Sequence, residues 1–253
     1  FHQVLGHPAE QITRNTTRMA SVQLSGTRRP CVHCSESRVR RYTVPKSTEN
    51  RADRRAGRLF IDLSGPFHVT SLRGIRFVMM CIDDVTRFKM VRFLKHKSDA
   101  TNALRDVIND YFTPEGLKIG VIRTDGGGER HGQFLSFLSE LGIKRESTPP
   151  YTPQYNGVME RALGLLRDKT VALLRDVMEG KIDCLWAEAM AYACDMWNRC
   201  TSSSLDSGTS PYELWYGRRP TFDSIPPFGT VGYLRRSKPG HKLSPRGASC
   251  IML

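Results

Sequence analysis

The chain has 253 residues, 39% of them hydrophobic, enough for one sizeable core and a small satellite module. Its mean hydropathy is −0.40, and no stretch approaches the roughly 18 apolar residues of a membrane span, which excludes a transmembrane helix. A net charge of +13 and a pI near 9.7 point to a polyanionic partner.

The charge is localised. Residues 28–58 hold ten Lys/Arg against three acids, and residues 218–246 hold seven against one, so these two flanks carry +7 and +6 and the rest sums to zero. A neutral centre between basic arms suits a protein that grips a phosphate backbone. No signal-peptide pattern follows Phe1, and a chain that opens mid-motif and stops at "CIML" reads as a piece of a longer polypeptide. The seven cysteines form no secreted framework, which favours a reducing compartment. Cys81, Cys184, Cys194 and Cys250 read as buried thiols and Cys200 as partly exposed.

In chain order, residues 1–45 are helical and polar around "CVHC", and 46–57, "KSTENRADRRAG", have almost no apolar content and read as a linker. From Arg58 the runs "RLFIDLSGPF", "IRFVMMCIDD" and "KMVRFL" have strand length and are joined by short turns, which predicts an antiparallel meander. "SDATNALRDVINDYF" (98–112) predicts an amphipathic helix with Ser98 as N-cap. "KIGVIRTD" predicts a buried strand, "GQFLSFLSELG" a helix closed by Gly142, and "IKRES" a short extended segment. The connections that carry helices imply parallel neighbours. A polar, proline-broken loop, "PPYTPQYNG", leads into a long helix over about 157–179, and another helix spans 185–198. The alternating apolar and basic tail, 216–253, reads as the start of a small β module. The fold class is α/β, with a mixed sheet.

Three acids stand out. Asp62 lies inside an apolar strand, where an ionised carboxylate costs several kcal/mol unless paired or metal-bound. Asp125 ends the strand "GVIRTD" before three glycines, and Glu160 opens the long helix beside its apolar stripe. If the first strand and the Asp125 strand are neighbours, Asp62 and Asp125 converge at one sheet edge and the Glu160 helix can pack across it. Three converging carboxylates repel one another, and divalent cations such as Mg²⁺ relieve that. Singly, each acid also fits a plainer role: a strand-end turn, an Asp–Gly turn, or a partner of the helix dipole. Asp83 and Asp84 in "IDDVTRF" read as structural turn residues.

The second constellation is His2 and His7 in "HQVLGH" with Cys31 and Cys34 in "CVHC". Two imidazoles and two thiolates at this spacing suit a closed tetrahedral Zn²⁺ site, and a module with so little core would depend on the metal for its fold. His33, between the cysteines, reads as a bystander.

"FIDLSGPF", "VIRTDGGGE" and "PPYTPQYNGVMER" resemble the three signature blocks of the retroviral-type integrase catalytic core, the last in its copia-type retrotransposon form. "SPYELWYGRRP" and the basic tail resemble stretches that follow the core in copia-type polyproteins, and the His-His-Cys-Cys set resembles the module that precedes it. The resemblance implies a ribonuclease-H-like core over 58–215, a zinc module over 1–45, and Asp62, Asp125 and Glu160 as the catalytic triad holding two Mg²⁺ or Mn²⁺ ions. It implies DNA as partner, with Tyr151, Gln154, Asn156 and Arg161 in contact with it, together with homo-oligomerisation, no membrane association, and action in the nucleus after synthesis within a polyprotein. The chain departs from the family pattern at Gly126, where Asn is usual, and in the spacing from Asp125 to Glu160, which is one residue short. Two other readings stay open at this level: an inactive DNA-binding form of the same fold, and a ribonuclease-H-like nuclease acting on RNA–DNA hybrids.

Overall fold

The computed structural model describes residues 1–25, 30–37, 51–124, 132–147, 157–177, 183–205, 208–235 and 246–252. The three apolar runs become strands β1 (Arg58–Ser64), β2 (Phe77–Asp83) and β3 (Lys89–Leu94). Their short turns make them antiparallel, with Ile61 opposite Cys81 and Met80 opposite Val91. Strands β4 (Val121–Thr124) and β5 (Lys144–Ser147) return through helical connections and lie parallel. The result is a five-stranded mixed sheet of order β3-β2-β1-β4-β5, as the element order implies.

Both faces of the sheet are buried, and the period of two sorts their residues. Leu59, Ile61, Met79, Cys81 and Ile122 pack with α3 (Ala100–Val107), α4 (Gly132–Glu140) and Trp215 of α7, the short helix Pro211–Tyr216. Phe60, Val78, Met80 and Ile82 pack with two longer helices, Gly157–Val177 (hereafter α5) and Trp186–Arg199 (α6). Each fully buried Ile, Met or Phe here contributes about 1.5–3 kcal/mol. Helices α1 (Glu10–Met19) and α2 (Val32–Ser37) precede the sheet. An antiparallel hairpin of β6 (Val231–Arg235) and β7 (Gly247–Ile251) follows it. Among the described residues, no helix is long and apolar enough to cross a membrane.

Several sequence expectations are altered by packing. The helix expected over 98–112 is α-helical only from Ala100 to Val107 and continues as a π-helical turn from Ile108 to Phe112. That turn carries Phe112, fully buried, against Trp215 with ring centroids 5.2 Å apart. Ser98 is not the N-cap: it lies within a 3₁₀ turn, and the Asp99 carboxylate accepts the His96 N–H at 3.0 Å instead. The described half of the expected linker is bound to the sheet, because the Ala52 N–H donates to Asp84 at 2.8 Å and the Ala56 N–H to Asp83 at 2.9 Å. Cys200 is buried at 1% exposure, whereas Cys184 and Cys250 are only half-buried. Asp83 and Asp84 are the structural residues expected. Burial pushes the Asp83 carboxyl up from its ordinary value, while Thr86 and Ala56 donors compensate it and Arg58 pairs with Asp84 at 3.1 Å.

Candidate active cleft and metal module

Strand β1 alternates between the two sheet faces, so Asp62 shares a face with Phe60, the face covered by α5. Glu160 occupies the first turn of α5 and is exposed, beside the buried Met159 and Leu163. Both acids line one cleft of about 650 Å³, together with Ser64, Phe67, His68 and Arg167. Asp62 is half-buried, and its Oδ1 accepts the Leu63 N–H at 2.8 Å.

The cleft wall beyond β1 is built tightly. Gly65 has φ of +126°, and a Cβ there would lie 2.6 Å from the Arg76 carbonyl oxygen, so the turn tolerates no side chain. Phe67 stacks on Trp186 of α6 with centroids 4.2 Å apart, and the Trp186 Nε1–H donates to the Val69 carbonyl at 2.9 Å. These contacts tie the segment after Asp62 to the helix layer. Across the cleft, the Arg167 Nη2 donates to Ser64 Oγ at 2.6 Å. Arg167 carries no motif signal of its own, although it lies seven residues after Glu160 and therefore near it on one helix face. Arg161, the basic residue expected to act here, is exposed and does not line the cleft.

Strand β4 runs parallel to β1 with Ile61 paired to Thr124. Asp125 follows Thr124 in the sequence and lies outside the described residues, as do Gly126 and the loop residues Tyr151, Gln154 and Asn156.

The second site is fully described. Residues 1–5 form a helical turn closed by the Leu5 N–H donating to the Phe1 carbonyl, and Gly6 and His7 then both take left-handed backbone at φ of +70° and +59°. This folds the chain back so that the His7 N–H donates to the His2 carbonyl at 2.9 Å. Cys31 and Cys34 share a face at the start of α2, three residues apart. The ligand atoms of His2, His7, Cys31 and Cys34 all lie within 4.8 Å of one another. Cys34 Sγ is 3.3 Å from His2 Nε2 and 3.5 Å from His7 Nδ1, and Cys31 Sγ is 3.4 Å from His7 Nδ1. Tetrahedral Zn²⁺ at ordinary bond lengths separates its ligands by roughly 3.4–3.8 Å, so the cluster fits a zinc module. His33 is outside the cluster, a bystander to the metal site as expected, and its Nε2 lies 3.0 Å from Asp176 Oδ1 on α5.

No family model matches the chain. Over its full length it is similar to the retrovirus-related Pol polyprotein from transposon TNT 1-94 of Nicotiana tabacum, at 26% identity across 257 residues. It is likewise similar to the corresponding polyprotein from transposon RE1 of Arabidopsis thaliana, at 27% across 261 residues. The chain spans 19% and 17% of the lengths of these relatives. Among solved structures, a chain of the simian T-cell lymphotropic virus intasome superposes with a TM-score of 0.55 at 18% identity, covering 82% of this chain and 71% of that one. The mixed sheet with helices on both faces is therefore the fold shared with that intasome chain, and the similarity to copia-type Pol polyproteins runs end to end.

Proposed function

We propose that this chain is the integrase region of a copia-type retrotransposon, trimming the 3′ ends of element DNA and joining them to target DNA. The observation that carries the reading is the shared cleft: Asp62 on β1 and Glu160 on α5 line the same wall-to-wall opening. Asp125, next in sequence to Thr124 of β4, is proposed as the third acid. Those three carboxylates would hold two Mg²⁺ or Mn²⁺ ions. Bound ions of this kind supply activation of a water or 3′ hydroxyl and stabilisation of the leaving oxygen.

The chain's own residues supply the rest. Arg167 gives the cleft a cation suited to a DNA phosphate, and Ser64 holds that guanidinium in position. Tyr151, Gln154 and Asn156 are proposed to contact the DNA end from the loop before α5, with Arg161 alongside. The basic flanks favour backbone binding, although Arg55 and Arg58 are engaged internally with Glu115 and Asp84 and are discounted as DNA contacts. His2, His7, Cys31 and Cys34 would hold one structural Zn²⁺. Homo-oligomerisation and action in the nucleus belong to the same proposal.

The test is joining of a labelled DNA end with Mg²⁺ or Mn²⁺. Wild type should join, and Glu160→Gln should lose joining by orders of magnitude with DNA binding kept within a few-fold, because the carboxylate acts in the transition state. Binding without joining by wild type in either metal would favour the inactive reading suggested by Gly126. Cleavage of an RNA–DNA hybrid in place of joining would favour the nuclease reading.

A further inference from the structure

The same helix that opens with Glu160 carries a second, inward-facing polar stripe near its other end. Lys169 is 8% exposed, and its Nζ donates to the Gly6 carbonyl at 3.2 Å. Asp176, seven residues on and so on the same helix face, has a side chain only 10% exposed. A carboxylate this buried needs donors, and both of its oxygens face imidazoles of the N-terminal module. His7 Nε2 pairs with Oδ2, and His33 Nε2 lies 3.0 Å from Oδ1.

The two nitrogens of His7 thus have different partners. Nδ1 faces the sulfurs of Cys31 and Cys34, and Nε2 faces Asp176, while the ring is completely buried. A neutral imidazole that gives one nitrogen to a metal carries its proton on the other. A carboxylate at that second nitrogen fixes the tautomer, orients the ring and raises its basicity as a ligand. An ion pair serving only to dock two helices would not require one partner to be a member of the metal-binding cluster.

We propose that Asp176 is the positioning carboxylate of the His–Cys module, and that through His7 and His33 it couples metal loading of that module to the order of α5 in the same chain. The proposal rests on reading His2, His7, Cys31 and Cys34 as a metal site. It makes the N-terminal module a splint for the helix whose first turn holds Glu160, about 24 Å away along the axis at 1.5 Å per residue.

The test uses the full chain, Zn²⁺ and Co²⁺ as probes, chelator competition, and amide exchange of α5 with and without metal. Wild type should take up about one Zn²⁺, and chelation should speed exchange over residues 165–177. Asp176→Ala should weaken Zn²⁺ by 10- to 100-fold and leave α5 exchange nearly indifferent to metal. Asp176→Asn, which keeps an acceptor oxygen, should fall between. In both variants the Co²⁺ absorption should retain its four-coordinate thiolate pattern, since Asp176 is not itself a ligand. His33→Ala retains the His7–Asp176 contact and should cost only a few-fold in affinity, which keeps the idea testable if Asp176→Ala folds poorly. Unchanged Zn²⁺ affinity and unchanged metal-dependent exchange in the Asp176 variants would overturn the proposal while leaving the metal site standing. A wild-type chain that takes up neither metal would overturn both.

Discussion

The two ends of α5 serve two kinds of site. At Glu160 the acids line an open cleft with an exposed carboxylate. At Asp176 the neighbouring ligand set is closed, with four donor atoms gathered within 4.8 Å and His7 wholly buried. A closed set of soft donors can be completed by protein alone, as structural metal sites are. An open set of hard oxygens leaves coordination positions for substrate and water, as catalytic sites do. One helix thus joins a closed cluster of soft donors to an open cleft lined by acids.

This division makes damage at one end separable from damage at the other. The largest effect is expected for Asp62→Asn, which should lower DNA-end joining by three or more orders of magnitude while Zn²⁺ content and the melting temperature stay as in wild type. Loss of Zn²⁺ in this variant would break the comparison. Cys34→Ser should reduce Zn²⁺ from about one per chain to near none by metal analysis. It should also lower the melting temperature by several degrees in a thermal scan, because Leu5 and Lys169 link the module to the main body. Two separate melts, with the main transition untouched, would mean the module is an independent bead.

Smaller changes sharpen the picture within the cleft. Arg167→Met should weaken binding of a DNA end about tenfold, the scale of one charge-assisted contact, with no change in Zn²⁺. Ser64→Ala removes only the residue that holds the guanidinium, and should change that affinity by no more than about twofold in the same titration. An equal loss in both variants would mean that Ser64, and not the cation, makes the contact.

Much of this was legible in the sequence because periodicity and turn length are local signals. The meander, the parallel return of β4 and the helix ending before Gly142 follow from run lengths and short turns. The four metal-module residues were legible from spacing, and Asp62 from its incongruity in an apolar strand. What was not legible depended on contacts distant in sequence. Asp176 and Arg167 carry no local signal, and their partners, His7 and His33 for one and Ser64 for the other, are distant in sequence. Phe112 required a π-helical turn to reach Trp215, which no period-3.6 pattern encodes. The basic stretch 51–57 read as a spacer because its ties run through backbone N–H groups to Asp83 and Asp84, a signal that composition does not carry.

The first few residues have a consequence for how the metal module assembles. Three successive carbonyls are each taken by a distant side chain: Val4 by the Tyr192 hydroxyl at 2.9 Å, Leu5 by the Cys200 thiol at 3.7 Å, and Gly6 by Lys169 at 3.2 Å. His2 and His7 are therefore tied to the folded body through the segment between them, and the Cys31–Cys34 arm is tied to it through His33 and Asp176. Ordering a backbone residue costs about 1–2 kcal/mol, so several residues' worth of that cost is met by folding and not charged against metal affinity. A cation entering this protein finds both sides of its site leaning on the folded body, whereas the same forty-five residues cut free would have to gather both sides from a random chain.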